Sequence, residues 1–207
     1  MQPIQYFVSG IDTDIGKTVV SAILVEALEA DYWKPVQAGG LEFSDTHCVQ
    51  QLVSNSKSQF FEETYRLNTP ASPHYAAELD GLEINFDAFK MPITSNNLIV
   101  EGAGGLFVPL NDDFLIIDLI KKLNIPVVLV AKFYLGSINH TLSSIDALQQ
   151  RGIPIAGIIF NGEITESSKS YILKYSKIPN LGCIPWVEKI SKKEVSKYAK
   201  TVRNLLY

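Results

Sequence analysis

The chain has 207 residues, 46% of them hydrophobic and 19% charged, with a formal net charge of −4. That length supports one domain with a substantial core, and the composition excludes a disordered chain. The acidic balance argues against a non-specific nucleic-acid binder and leaves room for a local basic phosphate site.

Met1 to Gln5 hold no basic segment and no long apolar run, so no secretory leader is expected. Tyr6-Phe7-Val8 reads as a buried strand, and the stretch after Gly10 predicts a helix from about Lys17 to Ala30. Tyr32 to Val36 reads as a second short strand and Asp45 to Val53 as a helix. Ser54 to Pro92 breaks this rhythm. It holds Pro70, Pro73, Gly81 and Pro92, and only a short helix near Phe86 to Lys90 is expected there. Such an irregular segment usually lies at the functional edge of a sheet.

Leu98-Ile99-Val100 is a strand, Phe114 to Leu123 a helix, and Val127 to Ala131 a strand. Ser137 to Gln150 is a helix closed by Gly152, and Ile155 to Phe160 and Leu181 to Ile184 are the last strands. Helices are expected at Glu166 to Ser176 and Lys192 to Leu206. Solid apolar strands alternating with helices predict an α/β fold: a doubly wound, mostly parallel sheet with helices on both faces, in one domain over 1–207. The apolar runs, such as Ile125 to Ala131, are too short to cross a bilayer, so no membrane association is expected. Cys48 and Cys183 are the two cysteines, too distant for a CxxC motif. No disulfide framework is implied, and a reducing, cytoplasmic setting is expected.

Gly10-Ile11-Asp12-Thr13-Asp14-Ile15-Gly16-Lys17-Thr18 follows a strand and opens a helix, the context that a phosphate loop requires. Backbone N–H groups at a helix start attract anions. Lys17 is expected to reach the β- and γ-phosphates, and the Thr18 hydroxyl to coordinate Mg²⁺. Strict spacing would put glycine at Ile11; Gly10 comes one residue early. Glu101 follows an apolar strand where a hard cation wants oxygen ligands, and Gly102-Ala103-Gly104-Gly105 lets backbone approach a ligand. Lys34 in Lys34-Pro35-Val36-Gln37-Ala38-Gly39 ends the second strand and is expected at an open site facing the phosphates. Asp45 falls in the next helix's first turn. The chain therefore reads as an enzyme using the γ-phosphate of a nucleoside triphosphate with Mg²⁺.

These pieces, in this order, resemble the dethiobiotin synthetase family. The shared residues are Gly10-x-Asp12-Thr13-Asp14-x-Gly16-Lys17-Thr18, Lys34-Pro35-Val36 with Gly39, Asp45, and Ser72-Pro73-His74. Glu101-Gly102-Ala103-Gly104-Gly105, Leu135-Gly136-Ser137-Ile138-Asn139-His140, Asn161 and Ile184-Pro185-Trp186 continue the pattern, which runs from Tyr6 to about Val187. The resemblance implies ring closure on 7,8-diaminopelargonate with CO2 (or bicarbonate), ATP and Mg²⁺, through a carbamate and a carbamic–phosphoric anhydride. It implies that Asp14, Ile15, Gly16, Lys17, Thr18 and Val19 hold the triphosphate, with Thr13 near the reacting γ-phosphate. Thr18, Asp45 and Glu101 would serve the metal, and Lys34 matches the family's active-site lysine. Glu101, Gly102, Ala103 and Gly104 would line the nucleotide site, while Asn161, Pro185, Trp186 and Val187 match positions around the adenine. Ala38 stands where relatives often have serine, so its substrate contact would run through backbone. Gly136, Ser137, Ile138 and Asn139, with Ser137 as N-cap of the following helix, would hold the substrate's far carboxylate across a homodimer. Phe133-Tyr134 and Gly162 depart from the family pattern.

Three other readings compete. A partitioning or assembly ATPase carries a second lysine four positions before the loop's last glycine, where this chain has Asp12. A corrin-pathway amidoligase shares the loop but brings an amidotransferase domain with a nucleophilic cysteine. A nucleotide-binding switch without ligase activity would make the Lys34 and Glu101 motifs vestigial. His47 and His140 read as surface or helix residues, and His74 as part of a turn.

Overall fold

The computed structural model describes residues 3–206. Met1 and Gln2, part of the start read as leaderless, and Tyr207, the end of the expected 1–207 domain, lie outside the described residues. In chain order the elements are β1 (Gln5–Gly10), α1 (Lys17–Leu28), β2 (Asp31–Trp33), β3 (Val36–Ala38), α2 (Asp45–Leu52), β4 (Phe60–Phe61), β5 (Tyr65–Leu67) and α3 (Pro73–Leu79). They continue with β6 (Leu98–Gly105), α4 (Ile116–Leu123), β7 (Val127–Lys132), α5 (Ser137–Gln150), β8 (Ile155–Asn161), α6 (Glu166–Ser176), β9 (Asn180–Ile184) and α7 (Lys192–Leu206).

Strands apolar on both faces have no side for water, and they gather in one seven-stranded sheet of order β4-β2-β6-β1-β7-β8-β9. Its pairings are parallel. From β1 the chain winds through α1 towards β2, and from β6 through α4 towards β7 on the opposite side. Right-handed crossovers then set α1 and α4 on opposite faces. The winding direction reverses around adjacent β1 and β6, and open α/β sheets bind ligands beyond the carboxyl ends of strands at such a point.

α1 buries residues almost all round, from Val20 to Val25, because it is sandwiched between the sheet and the helices α2 and α7. α7 turns Val195, Tyr198, Ala199 and Val202 inward, an i, i+3, i+4, i+7 stripe that meets α1. No helix among the described residues is long and apolar enough to cross a membrane.

Several expected boundaries move. Tyr32 to Val36 is not one strand: it divides at Lys34-Pro35, and β3 leaves the main sheet to pair with β5 in a two-stranded parallel sheet. Proline has no N–H for a ladder, and the Pro35 carbonyl instead accepts from Tyr65 N at 3.1 Å. The stretch 54–92 is more ordered than expected. It contains β4, β5 and α3, and the helix expected at Phe86–Lys90 is a 3-10 turn over Phe86–Ala88. The helix expected from Phe114 starts at Ile116, since Leu115 forms a bridge with Pro109 and its N–H is held by Asp118 Oδ2 at 2.9 Å. The strand at Leu98–Val100 continues through Glu101 to Gly105, where Gly105 lies opposite Gly10.

Candidate active site

The phosphate loop spans the gap between β1 and α1 and closes on itself. Lys17 Nζ donates to the Asp12 carbonyl at 2.9 Å, curling the lysine over the loop. Asp14 adopts a left-handed φ of 55°, and Gly16, the N-cap of α1, a φ of 91°. Only glycine fits at position 16: a Cβ there would lie 2.1 Å from Asn161 Nδ2. Asn161, the last residue of β8, donates that amide to the Ile15 carbonyl at 2.8 Å and so buttresses the loop from behind. Burial pulls the Lys17 ammonium below its ordinary pKa of 10.5, against the attraction of Glu101.

The register of β2 on β6 sets Trp33 opposite Val100, so Lys34 arrives beside Glu101. Lys34 Nζ lies 3.2 Å from Glu101 Oε1, 3.4 Å from the Gly102 carbonyl and 2.8 Å from Asp45 Oδ2. Thr18, in the first turn of α1, donates to the same Glu101 Oε1 at 3.0 Å. Glu101 is fully buried and Lys34 only 4% exposed, which corrects the expectation that Lys34 stands at an open site. The cause is the pairing itself, since two carboxylates clamp the ammonium against the sheet. Burial works to lower Lys34, yet Glu101 and Asp45 outweigh it and raise its pKa above 10.5. Burial likewise works to raise Asp45, and the Lys34 charge outweighs it and lowers the carboxyl below 3.8.

Asp45 occupies the first turn of α2, as expected. Its N–H is held by Gln37 Oε1 at 3.2 Å, while Gln37 Nε2 donates to the Gly39 carbonyl at 2.9 Å. His47 caps the same helix through Ser44, its Nδ1 accepting from Ser44 N at 3.1 Å, which is the helix role expected of it. Glu63 accepts from Ser44 Oγ at 3.0 Å and from Thr46 Oγ1 at 2.6 Å, pinning this helix end.

Over these groups opens a cleft of about 790 Å³. Thr13, Asp14, Gly16, Lys17 and Thr18 line it together with Lys34, Ala38 and Asp45 and with Glu101, Ala103 and Gly104 of β6. Pro70, Ala71, Ser72 and Pro73 make a wall that the sequence reading leaves irregular. Gly39, at φ 71°, packs so tightly on Pro70 that an added Cβ would come within 2.5 Å. Ser72, the N-cap of α3, hydrogen-bonds His74 Nδ1 at 3.1 Å, so His74 lies in the first turn of that helix rather than in the irregular turn expected.

Other expected site residues lie elsewhere. Ile15 is buried under the loop, Val19 is half-buried in α1, and Gly102 contributes its carbonyl to Lys34. Pro185, Trp186 and Val187 follow β9, with Trp186 71% exposed, and they adjoin Asn161 because Gly162 N donates to the Ile184 carbonyl at 2.8 Å. Gly136, Ser137, Ile138 and Asn139 do not line the cleft. Gly136, not Ser137, is the N-cap of α5, at φ 98°; Ser137 is the first helical residue, and its carbonyl accepts from Thr141 Oγ1 at 2.7 Å. Tyr32 is missed altogether. Its ring is fully buried and its hydroxyl donates to Glu101 Oε2 at 2.9 Å. Burial holds that phenol well above its ordinary pKa of 10.0, so it is a protonated donor. No motif marks it, and only the strand register brings it to Glu101.

A phosphate loop from β1 to α1, facing a strand-borne carboxylate across adjacent β1 and β6, makes this a P-loop nucleoside-triphosphate enzyme fold. Solved structures show the same fold at low identity: a ParA family ATPase from Chlorobium tepidum TLS (TM-score 0.54, 13% identity, 99% of this chain and 98% of that one) and the MinC:MinD cell division complex of Aquifex aeolicus (0.56, 12%, 98% and 94%). A domain family described as AAA domain matches residues 4–194. Three proteins described as ATP-dependent dethiobiotin synthetase are far more similar. They come from Christiangramia forsetii (51% identity, 99% of this chain and 98% of that one), Rhodopseudomonas palustris BisB18 (46%, 95% and 94%) and Cytophaga hutchinsonii (47%, 94% and 95%). The chain belongs to the dethiobiotin synthetase family.

Proposed function

We propose that this chain is an ATP-dependent cyclo-ligase that closes the urea ring of dethiobiotin on 7,8-diaminopelargonate, with CO2 as the carbon source. The observation that carries the reading is the meeting of Lys17, Lys34, Asp45 and Glu101 in the lining of one cleft, beside a phosphate loop. Near 790 Å³, the cleft is within the range of small-molecule sites. Residues 1–207 would act as one ligase domain, in the cytoplasm.

In this reading one substrate amine adds to CO2, releasing a proton and leaving a carbamate. A carbamate oxygen attacks the γ-phosphorus of ATP, the bond to the β-phosphate oxygen breaks, and ADP leaves. The neighbouring amine then attacks the carbamoyl carbon, inorganic phosphate departs, and the amine's proton is lost. Carbamate and triphosphate are both anions, so their approach is opposed by charge. Lys17 and Lys34 supply fixed positive charge where negative charge concentrates in the transition state. The carbamate is already an anion and needs no base, and no histidine lines the cleft.

The residues fit Mg²⁺. The Thr18 hydroxyl, Glu101 and Asp45 offer hard oxygens within one cluster bridged by Lys34 and Thr18. Among the described residues no group of three or more His, Cys, Asp and Glu could hold a metal ion. The ion's remaining positions would be filled by phosphate oxygens and water. When bound, Mg²⁺ would neutralise phosphate charge. Ala38 lines the cleft and would meet the diamine end of the substrate. Gly136 to Asn139 would hold the far carboxylate of a substrate in the partner's cleft, a role supported by their lying outside the cleft of their own chain and by the complete exposure of Leu135 beside them. Asn161 and Pro185 to Val187 would flank the adenine.

The test is phosphate release from ATP by the purified protein. It is expected only when diaminopelargonate and bicarbonate are supplied together. Equal release without either one would overturn the ligase reading in favour of a plain nucleotide hydrolase.

A further inference from the structure

The two oxygens of Glu101 face different partners. Oε1 is turned to Thr18 Oγ1 at 3.0 Å and Lys34 Nζ at 3.2 Å, the side of the phosphate loop. Oε2 accepts 2.9 Å away from Tyr32, which, like Glu101, is fully buried. Tyr32 stands two residues before Lys34 in the chain, and side chains two apart leave an extended chain on the same side. Its backbone is fixed between Ile99 of β6 and Phe60 of β4, and its ring meets that of Phe60 at 6.2 Å. The phenol therefore has little freedom to follow Glu101 if the carboxylate turns.

We propose that Tyr32 is a positioning residue for Glu101: its hydroxyl holds Oε2, so that Oε1 alone is presented to the divalent cation that accompanies the triphosphate. The proposal rests on the reading of Glu101 as a metal ligand. Outer hydrogen bonds commonly fix the orientation of a ligating carboxylate, and their loss weakens metal binding. Without the phenol, Oε2 would be left buried and unpartnered, which is costly. The carboxylate would then gain by turning both oxygens towards Lys34 and Thr18, where a tight pair with the ammonium competes with the metal. A tyrosine kept only for packing would behave differently. Its loss would lower stability and leave the metal dependence of nucleotide binding unchanged.

The experiment is calorimetric binding of a non-hydrolysable ATP analogue to the full chain, in EDTA and in saturating Mg²⁺, for wild type, Tyr32→Phe and Glu101→Gln. Tyr32→Phe is expected to match wild type in EDTA and to lose about tenfold of the affinity that Mg²⁺ adds, as for one hydrogen bond to a charged ligand. Glu101→Gln is expected to lose at least as much. If Glu101→Gln loses the Mg²⁺ gain and Tyr32→Phe keeps it, the role of Tyr32 is overturned while Glu101 stands. If both keep it, the metal role of Glu101 falls and the proposal falls with it. Equal weakening of Tyr32→Phe with and without metal also overturns the proposal, because that marks a site loosened in general. Should Tyr32→Phe not fold, a structure of the wild-type complex with Mg²⁺ and the analogue decides. Tyr32 on Oε2 with Oε1 on the ion supports the proposal, and Tyr32 turned away or Oε2 on the ion overturns it.

Discussion

Lys34 sits between two acids, 2.8 Å from Asp45 and 3.2 Å from Glu101, and its charge serves the resting protein as well as the proposed reaction. Lys34→Gln is expected to lower kcat by about a hundredfold or more, as for loss of one preorganised charge at a transferring phosphoryl group. It should also destabilise the nucleotide-free protein, because a broken pair strands its carboxylates. We expect a loss on the order of 2 kcal/mol, below the full cost of a buried pair since Asp45 is 36% exposed. The sign with pH follows from the shifts. Lys34 is raised, so its contribution is present below 10.5 and is lost as pH rises through the higher folded value. Asp45 is lowered, so its contribution is present above 3.8 and is lost as pH falls through the lower folded value. Thermal melts should show a Tm gap between wild type and variant that is flat through neutral pH and closes at both extremes. A gap constant from pH 2 to 11 would contradict this assignment.

At the scale of elements, three segments are tied together by one side chain. Glu26 on α1 accepts from Ser54 N at 2.8 Å, Ser54 Oγ at 2.6 Å and Asn55 N at 3.1 Å, and from Ser196 Oγ of α7 at 3.3 Å. Burial works to raise its pKa, but the bonds from Ser54 and Asn55 outweigh it and lower the carboxyl below 4.5. Its contribution is therefore present above 4.5 and lost as pH falls below the folded value. Glu26→Gln is expected to cost about 1 kcal/mol in urea unfolding at pH 7, and less at pH 3.5. Its kcat should equal that of wild type, since Glu26 lies near the end of α1 opposite the phosphate loop. Reading α3 from sequence was possible in part: Ser72-Pro73 is an N-cap followed by proline at the first helical position. The density of prolines around it pointed the other way. β3 and β5 gave no such hint, because strands of three residues are defined by their partner, here across Val36–Tyr65.

For the whole molecule, the composite site proposed across a two-fold dimer makes the sharpest demand. A chain with Lys17→Ala lacks its phosphate lysine, and one with Asn139→Asp carries an added negative charge in the first turn of α5. Asn139 is the better place for that charge, since Gly136 at φ 98° would be strained by any side chain. Each variant alone is expected to be nearly inactive. Random re-pairing makes about half the dimers mixed, and each mixed dimer has one intact site of two, so roughly a quarter of wild-type activity should return. Activity that stays at background while mixed dimers demonstrably form would place each site within a single chain.

Local chemistry determined much of this protein. The order Gly16-Lys17-Thr18 after an apolar strand, the carboxylate of Glu101 on another, and Asp45 at a helix start were all legible, because a phosphate loop and an acid following an apolar run are defined by neighbours in the chain. The alternation of strand and helix that yields the parallel sheet was legible for the same reason. What only the tertiary structure decided is how groups distant in sequence share one charge. Lys34 looked like an open strand end, and it is buried because Glu101 of β6, 67 residues on, and Asp45 of α2 meet its ammonium just beyond the end of β2. Tyr32 read only as the start of a short strand, and it is a donor to that same acid from 69 residues away. Asn161, 146 residues beyond Ile15, proved to brace the phosphate loop. Burial and hydrogen bonding across strands depend on register, and register is set by the packing of the whole sheet.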